Sequence, residues 1–412
     1  MNALTRTAIL TAALVIGAHA AAYAQEPDSV LTVNQAGKNL LRLNTDAGFV
    51  VRGTPEVGEI PAEEGGVRMM WFPARYAFRV GKVDSFGSHY WNLNEIGYGS
   101  VALGENVRAP GNYSLAANIA STASGIASVA LGNNGTASGD RSFAVNGEAS
   151  GEGSVALGSG AWATGDFALA LGHTPIANGF GSIVLGPNEA DGSYAVAIGG
   201  WRNSASGERS IAIGNNARTA NRRGSIVLGD GCASFNADSV YPTAHDQIVM
   251  RGCGGIKLYT DQGLTAGVEL AAGGSSWLQV SDVNRKENFE ALDGEDVLIR
   301  LRDVPVMTWN YTSQDAEIRH AGPTAQDFRA AFGLGESELM INTVDIDGIN
   351  LAAIKALEER TARQRARIEE LEAEVARLKD HDEKQQAAIS GLEARLARLE
   401  SRLGGEERRR DD

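Results

Sequence analysis

Hydrophobic and polar positions along this chain change rhythm more than once. Between residues 97 and 230 the apolar residues come in bursts of period two: Ser100-Val-Ala-Leu-Gly104, Ser128-Val-Ala-Leu-Gly132, Ser154-Val-Ala-Leu-Gly158 and onward to Ser225-Ile-Val-Leu-Gly229. Copies begin at residues 100, 114, 128, 142, 154, 168, 182, 195, 210 and 225, ten in all, spaced by 12 to 15 residues. Each burst predicts a short strand, and short strands at a fixed period predict stacked coils. The Gly after the burst permits a positive-φ turn. A second short stretch, such as Ala137-Ser138-Gly139 or Ala163-Thr164-Gly165, returns the chain, and a Gly stands three residues ahead of most copies, as at Gly125 and Gly207. One coil buries almost nothing, whereas ten make a continuous core, here with small residues, Ala above all, inside.

The flanks follow other patterns. Residues 25–96 read as a β-rich N-terminal cap: Val30-Leu31-Thr32-Val33 and Phe49-Val50-Val51 alternate, and Met69-Met70-Trp71-Phe72, Tyr76, Phe78, Tyr90 and Trp91 gather the aromatics that would close the first coil. Residues 231–280 read as a neck with strand-like Ile248–Met250 and Ile256–Tyr259. Further on, Ile354, Leu357, Ile368, Leu371, Val375, Leu378, Ile389, Leu392, Leu396, Leu399 and Leu403 step by three and four in one register, with Thr361, Gln364, Asp382 and Gln385 at the intervening seam positions. That pattern predicts a coiled coil over 354–403, followed by a charged tail, 404–412. A helical hairpin turning near Asp380-His381-Asp382 is the alternative, and the unbroken register counts against it. Ile or Val at the first seam position with Leu at the second favours two strands.

Composition sharpens this picture. Gly accounts for 50 of 412 residues, 25 of them between Gly97 and Gly229, while aromatics are only 6%. A net charge of −14 argues against a nucleic-acid binder, which would show a basic stripe. Residues 1–24 read as a secretory signal peptide: Arg6, an apolar run from Ala8 to Ala18, and Ala22-Tyr23-Ala24 ahead of a cut that leaves Gln25 first. The run is shorter than the ~20 apolar residues of a spanning helix, although a membrane anchor is the competing reading. No later stretch reads as a span, and the end, Gly404 to Asp412, is too polar for a barrel strand. The expectation is an exported protein, secreted or at the cell surface, without a membrane span once the signal is removed. Cys232 and Cys253 are the only cysteines. In an oxidising compartment they can pair, for roughly 3 kcal/mol; two free buried thiols are the alternative. No His stands near them at ligand spacing, and no metal or cofactor is expected.

One segment offers chemistry. In Ser281-Asp-Val-Asn-Arg-Lys286 a Ser precedes a Lys by five residues. On a helix, at about 100° per residue, the two would face apart, so a helical Ser-x-x-Lys dyad is excluded. They can meet only across a turn or between subunits. The chain has 30 Arg but 7 Lys, none of them between Val83 and Ile256. Lys can lose its proton on burial and Arg cannot, so Lys286 rather than Arg285 is the candidate base. A solvated Arg-Lys pair is the plainer reading of these residues alone.

Two resemblances extend the argument. The repeat over 97–230 resembles the head of YadA-like trimeric autotransporter adhesins, which implies a left-handed parallel β-roll and a homotrimer; the barrel anchor of full-length members is missing here. Ser281-Asp282, Lys286-Glu287-Asn288, Val306-x-Thr308-Trp309-x-Tyr311, His320-x-Gly322-Pro323-x-Ala325-Gln326-Asp327 and Asp347-Gly348 resemble the intramolecular chaperone domain of phage endosialidases and tailspikes, a self-cleaving serine peptidase, over roughly 281–360. That likeness implies that Ser281 attacks the carbonyl of Val280 with Lys286 as general base, cutting the chain between Val280 and Ser281. Asn288, His320 and Gln326 read as structural hydrogen-bonding residues. Both resemblances imply a trimer, and polar seam layers can redirect strand number, so the trimer is preferred over the dimer. The expected architecture is mainly β: a β-roll head, a small α+β chaperone domain (281–353) and a C-terminal coiled coil. The expected function is that of an adhesin-like homotrimer for an unidentified extracellular or surface ligand, assembled by its C-terminal part and released by self-cleavage. A non-cleaving trimeric fibre is the alternative; a phage-type tail fibre fits the signal peptide poorly.

Overall fold

The computed structural model describes residues 29–35, 38–44, 48–232 and 239–407. The expected signal peptide and the last five residues of the tail lie outside the described residues. The described chain forms two compact units, the first ending at Val280 and the second beginning at Ser281.

The first unit is a β-solenoid. Its ten repeat strands, from Val101–Glu105 to Ile226–Gly229, lie parallel and adjacent in one 13-stranded sheet. Register is kept from coil to coil: Ala116 pairs with Ala102 and Ala130, and Ala144 with Ala130 and Ala156. Two-residue strands, among them Thr136–Ala137, Glu148–Ala149 and Trp162–Ala163, stack into a parallel six-stranded sheet behind it. Both sheets turn alanines inward. Ala102, Ala130, Ala144 and Ala156 from one, and Ala123, Ala137, Ala149 and Ala163 from the other, have no exposed surface. Side chains alternate across a strand, so Val129 and Leu131 or Ile211 and Ile213 face outward and are partly exposed. The solenoid therefore carries its larger aliphatic side chains on its outside.

The Gly and Ser of the repeat have separate tasks. Ser100, Ser114, Ser128, Ser154 and Ser210 are buried, and each hydroxyl donates to the carbonyl of the Gly three residues earlier at 2.6–2.8 Å. That Gly sits directly under the next coil. A Cβ on Gly125 would collide with the carbonyl of Gly139, and one on Gly139 with that of Gly151. The Gly after the strand is needed for a different reason: Gly104, Gly132 and Gly158 have φ of +132°, +92° and +129°, and Asn118 and Asn146 take positive φ at the same place in their coils.

The ends of the sheet extend beyond the repeat read from sequence. A hairpin of β4 (Gly66–Phe72) and β5 (Ala77–Val83) joins it ahead of the first copy, with Phe78, Arg79 and Val80 opposite Val101, Ala102 and Leu103. Arg79 occupies the alanine position and closes the column. Its buried guanidinium donates to the carbonyls of Ser100 and Ala109 and to the Ser100 hydroxyl at 2.8–3.1 Å. Met70, Phe72, Trp91 and Ile96 pack as a cluster beside it. At the other end Ile248–Met250 pairs with Ile226–Gly229, so the sheet continues past 230. The strands Ile256–Tyr259, Gly267–Leu270 and Trp277–Gln279 form a separate antiparallel sheet. Ahead of the hairpin, β1 (Ser29–Gln35), β2 (Lys38–Asn44) and β3 (Gly48–Val51) form an antiparallel sheet.

The second unit is built on three helices. α1 (Gly294–Asp303) starts at Asp293, whose carboxylate accepts the N–H groups of Glu295 and Asp296. α2 (Ala325–Phe332) starts at Thr324, which accepts from Asp327 N, and stops at Gly333 in the left-handed region. α3 (Thr343–Glu407) is a single helix of 65 residues, about 97 Å long at 1.5 Å per residue. It begins eleven residues before the seam pattern, because Ile349 and Ala353 first pack with Val297 of α1 and Phe328 of α2. No turn interrupts it near Asp380–Asp382, so the hairpin alternative does not occur. No helix among the described residues is long and apolar enough to cross a membrane.

Candidate functional site

Asp282 organises the segment that follows Val280. Its carboxylate accepts the N–H of Asn284 at 2.9 Å and so starts a single 3₁₀ turn, Val283–Arg285. The hydrogen bond from that N–H, then the Asn284 side chain, holds the Asp282 carboxyl below the usual carboxylate range, and Arg285 lies 3.9 Å away. The turn ends at Lys286, which returns to extended backbone. Three residues of turn between two extended ones bring the ends of the hexapeptide together. Lys286 Nζ donates to Ser281 Oγ at 2.7 Å. The two candidate site residues therefore meet across a turn within one chain, and both are exposed, together with Val283, Phe289 and Leu292.

Other residues singled out in sequence have structural places. Met307–Trp309 and His320–Gly322 pair as a two-stranded antiparallel ribbon with Trp309 opposite His320. His320 packs against the rings of Trp309 and Tyr311, at 4.9 and 5.4 Å, and its Nε2 meets Gln314 Oε1 at 2.9 Å. Gln326 is in the first turn of α2. Asn288 adopts φ +55° between Lys286 and α1. Asp347 and Gly348 are within α3. Glu295 of α1 is paired to Arg360 and Arg363 of α3, and Arg360 above all holds its carboxyl below the usual range; these pairs tie the two helices together.

Cys232 and Cys253 are joined as a disulfide, their Cα atoms 6.2 Å apart. Cys232 follows the last repeat strand and Cys253 follows the strand paired with it, so the bridge staples the final coil. Asp230 organises this corner: it accepts from Arg251 Nε at 2.8 Å and from Cys253 N at 2.6 Å, and the latter bond in particular lowers its pKa. The sequence reading missed Asp230; its position directly after the last repeat Gly was the available signal.

Comparison with known families agrees in position with these two units. Residues 123–145, 149–173, 190–217 and 205–231 match the model of the YadA head domain repeat. Residues 281–334 match the peptidase family described as chaperone of endosialidase, and the match begins at Ser281. No curated protein matches the chain. In sequence order, YadA-type head repeats are followed by an endosialidase-type chaperone segment, and the second starts where the second compact unit starts.

Proposed function

We propose that the chain is an exported, adhesin-like homotrimer whose C-terminal unit assembles it and then releases itself by cutting between Val280 and Ser281. The observation that carries the cleavage reading is the 2.7 Å hydrogen bond from Lys286 Nζ to Ser281 Oγ, at the bond where the two compact units divide. In this reading Lys286 in its neutral form takes the hydroxyl proton. Ser281 Oγ attacks the carbonyl carbon of Val280, the bond from that carbon to Ser281 N breaks, and the amine leaves protonated. The acyl group, now an ester on Ser281 Oγ, is hydrolysed by water. Scissile bond and nucleophile belong to neighbouring residues, so positioning replaces substrate binding, and each chain is cut once.

Burial favours the neutral form of a Lys, and in the single chain Lys286 is exposed, as are Val283, Phe289 and Leu292 close to it in sequence. A neighbouring copy covering this apolar rim would dehydrate the dyad, so assembly would come before the cut. Two features support assembly. The outward Val, Leu and Ile of the repeat strands form an aliphatic face along the whole solenoid, whereas the short strands mix Thr136, Glu148 and Glu189 with Trp162 and Ile176. Along α3, Ile354, Leu357, Ile368, Leu371, Val375 and Leu378 are all 42–62% exposed on one open seam. Most flanking charges suit parallel chains in register: between copies Arg367 would face Glu372, Glu374 would face Lys379 and Arg395 would face Glu400, against one like pair, Arg360 and Arg365. Early alignment by the coil would help a fold made of non-local parallel pairings, which form slowly and expose strand edges.

The test is a denaturing gel of the folded chain. Wild type should give two fragments divided at Ser281, and Ser281→Ala a single full-length band; an intact wild-type chain overturns the cleavage reading. Sedimentation equilibrium of the Ser281→Ala chain should give three copies, and a dimer or monomer overturns the trimer.

A further inference from the structure

The coils of the head are not equal. Ser142 to Ser154 spans 12 residues where the coils on either side span 14. The missing two come from one turn. Leu131-Gly-Asn-Asn-Gly-Thr136 before it and Leu157-Gly-Ser-Gly-Ala-Trp162 after it correspond to Val145-Asn-Gly-Glu148. Register is unaffected, since Thr136, Glu148 and Trp162 stand side by side in the six-stranded sheet. A low turn between two taller ones leaves a notch, and a groove of about 430 Å³ occupies it. Asn133 and Asn134 wall one side and Ser159 the other, with Gly147 and Glu148 below and Trp162 at the rim. The floor is kept bare by packing: a Cβ on Gly147 would lie 2.7 Å from the carbonyl oxygen of Ala161.

The lining has a definite chemistry. Trp162 is 51% exposed in an aromatic-poor solenoid, at a column position filled elsewhere by Thr122, Thr136, Ile176 and Glu189. The side chains of Asn134, Glu148 and Ser159 make no hydrogen bond to the described residues. The amide and hydroxyl can each donate and accept, and the carboxylate accepts. An electron-rich ring face beside such groups suits a sugar, which offers polarised C–H bonds on one face and hydroxyls around its edge. The volume is within the usual range for small-ligand sites. No cation lines the groove and Glu148 is acidic, so sialylated or sulfated sugars are disfavoured. An extended peptide finds no free strand edge there, because both neighbours of the Glu148 strand are paired.

We propose that this notch binds a neutral saccharide, a hexose or N-acetylhexosamine unit of a surface glycan, stacked on Trp162 and held by Asn134 and Glu148. The proposal adds a ligand class to the adhesive reading of the head and is independent of cleavage. One shallow site is expected to be weak, and repetition on an oligomer or a dense surface would raise its avidity.

The experiment is a printed array of galactose-, glucose-, mannose- and N-acetylglucosamine-terminated oligosaccharides with sialylated and sulfated counterparts, probed with the full chain. Avidity on the array comes from the several sites of an oligomer. At least one neutral glycan should bind, and Trp162→Ala and the groove-filling Ser159→Arg should each lower that signal at least tenfold. Trp201→Ala, which removes a tryptophan 63% exposed elsewhere on the head, should leave it unchanged, and circular dichroism should show all variants folded. Absence of neutral binding, binding indifferent to Trp162→Ala, or binding confined to anionic glycans overturns the proposal. Gel and sedimentation readings on the same preparations report cleavage and assembly separately, so failure of either is not mistaken for failure of sugar binding.

Discussion

The glycine column under the coils gives the most quantitative expectation. Gly139 stands three residues before Ser142, and its φ lies outside the positive range, so backbone strain is not at issue there. Proximity is: a Cβ on Gly139 would lie an ångström inside the 3.0 Å limit of real Cβ contacts, against the carbonyl oxygen of Gly151. Backbone on both sides leaves no side chain to swing away, so in Gly139→Ala the two coils must part by about 1 Å, a fifth of the ~4.8 Å strand spacing. Ser138 N and Gly139 N donate to Ala149 O across that gap at 2.9 and 3.2 Å, and both bonds would stretch to about 4 Å, outside hydrogen-bond range. Overpacking costs about 1–3 kcal/mol and each lost bond about 1 kcal/mol, for a total of about 4 kcal/mol. For a head of this size that lowers the unfolding midpoint by about 10 °C. The assay is thermal and urea unfolding followed by far-ultraviolet circular dichroism, with Gly254→Ala, where nothing lies within 4 Å, as the control. A loss below about 1 kcal/mol, or one equal to the control, would show that the coils slide freely and that close approach does not select the glycine.

Two further expectations concern single side chains. Arg79→Ala should destabilise the N-terminal end of the solenoid by about 3 kcal/mol, since it opens a void and removes the buried hydrogen bonds to the Ser100 carbonyl and hydroxyl and to the Ala109 carbonyl; a urea midpoint equal to wild type would remove Arg79 as the closing residue. Asp261 is held at about 2 by hydrogen bonds, first from Ala266 N–H and then from Thr265 Oγ1. A carboxyl depressed below its unfolded value of about 3.9 stabilises fully above pH ~4 and loses that contribution as pH falls toward 2. Amide exchange at Thr265 and Ala266 should therefore show the turn opening between pH 4 and 2, beyond the intrinsic pH dependence of exchange, and Asp261→Ala should show it open at every pH.

What could be read in advance and what could not divide along physical lines. The repeat was legible because most coils solve the same local problem with the same residues: Ser or Ala at the start of the strand, Gly where backbones touch, Gly or Asn where φ turns positive. The helical seam was legible because a 3.5-residue period persists over fifty residues. Neither pattern sets where an element ends. The sheet begins at β4 and runs to Met250 because a hairpin and an irregular strand complete its ladder without the repeat's sequence, and α3 begins at Thr343 because its first turns bury against α1 and α2.

By itself the sequence determined that the head is stacked strands with small interiors, that a long helix follows, and that Ser281 and Lys286 could meet only across a turn or between chains. The tertiary structure decided between those two, because an Asp282-capped turn of three residues, invisible to any periodicity, folds the lysine onto the serine. It also decided what the 12-residue spacing means. A missing pair of residues is a gap in an alignment until flanking coils of full height stand on either side, and only then does it become a groove with a tryptophan at its rim.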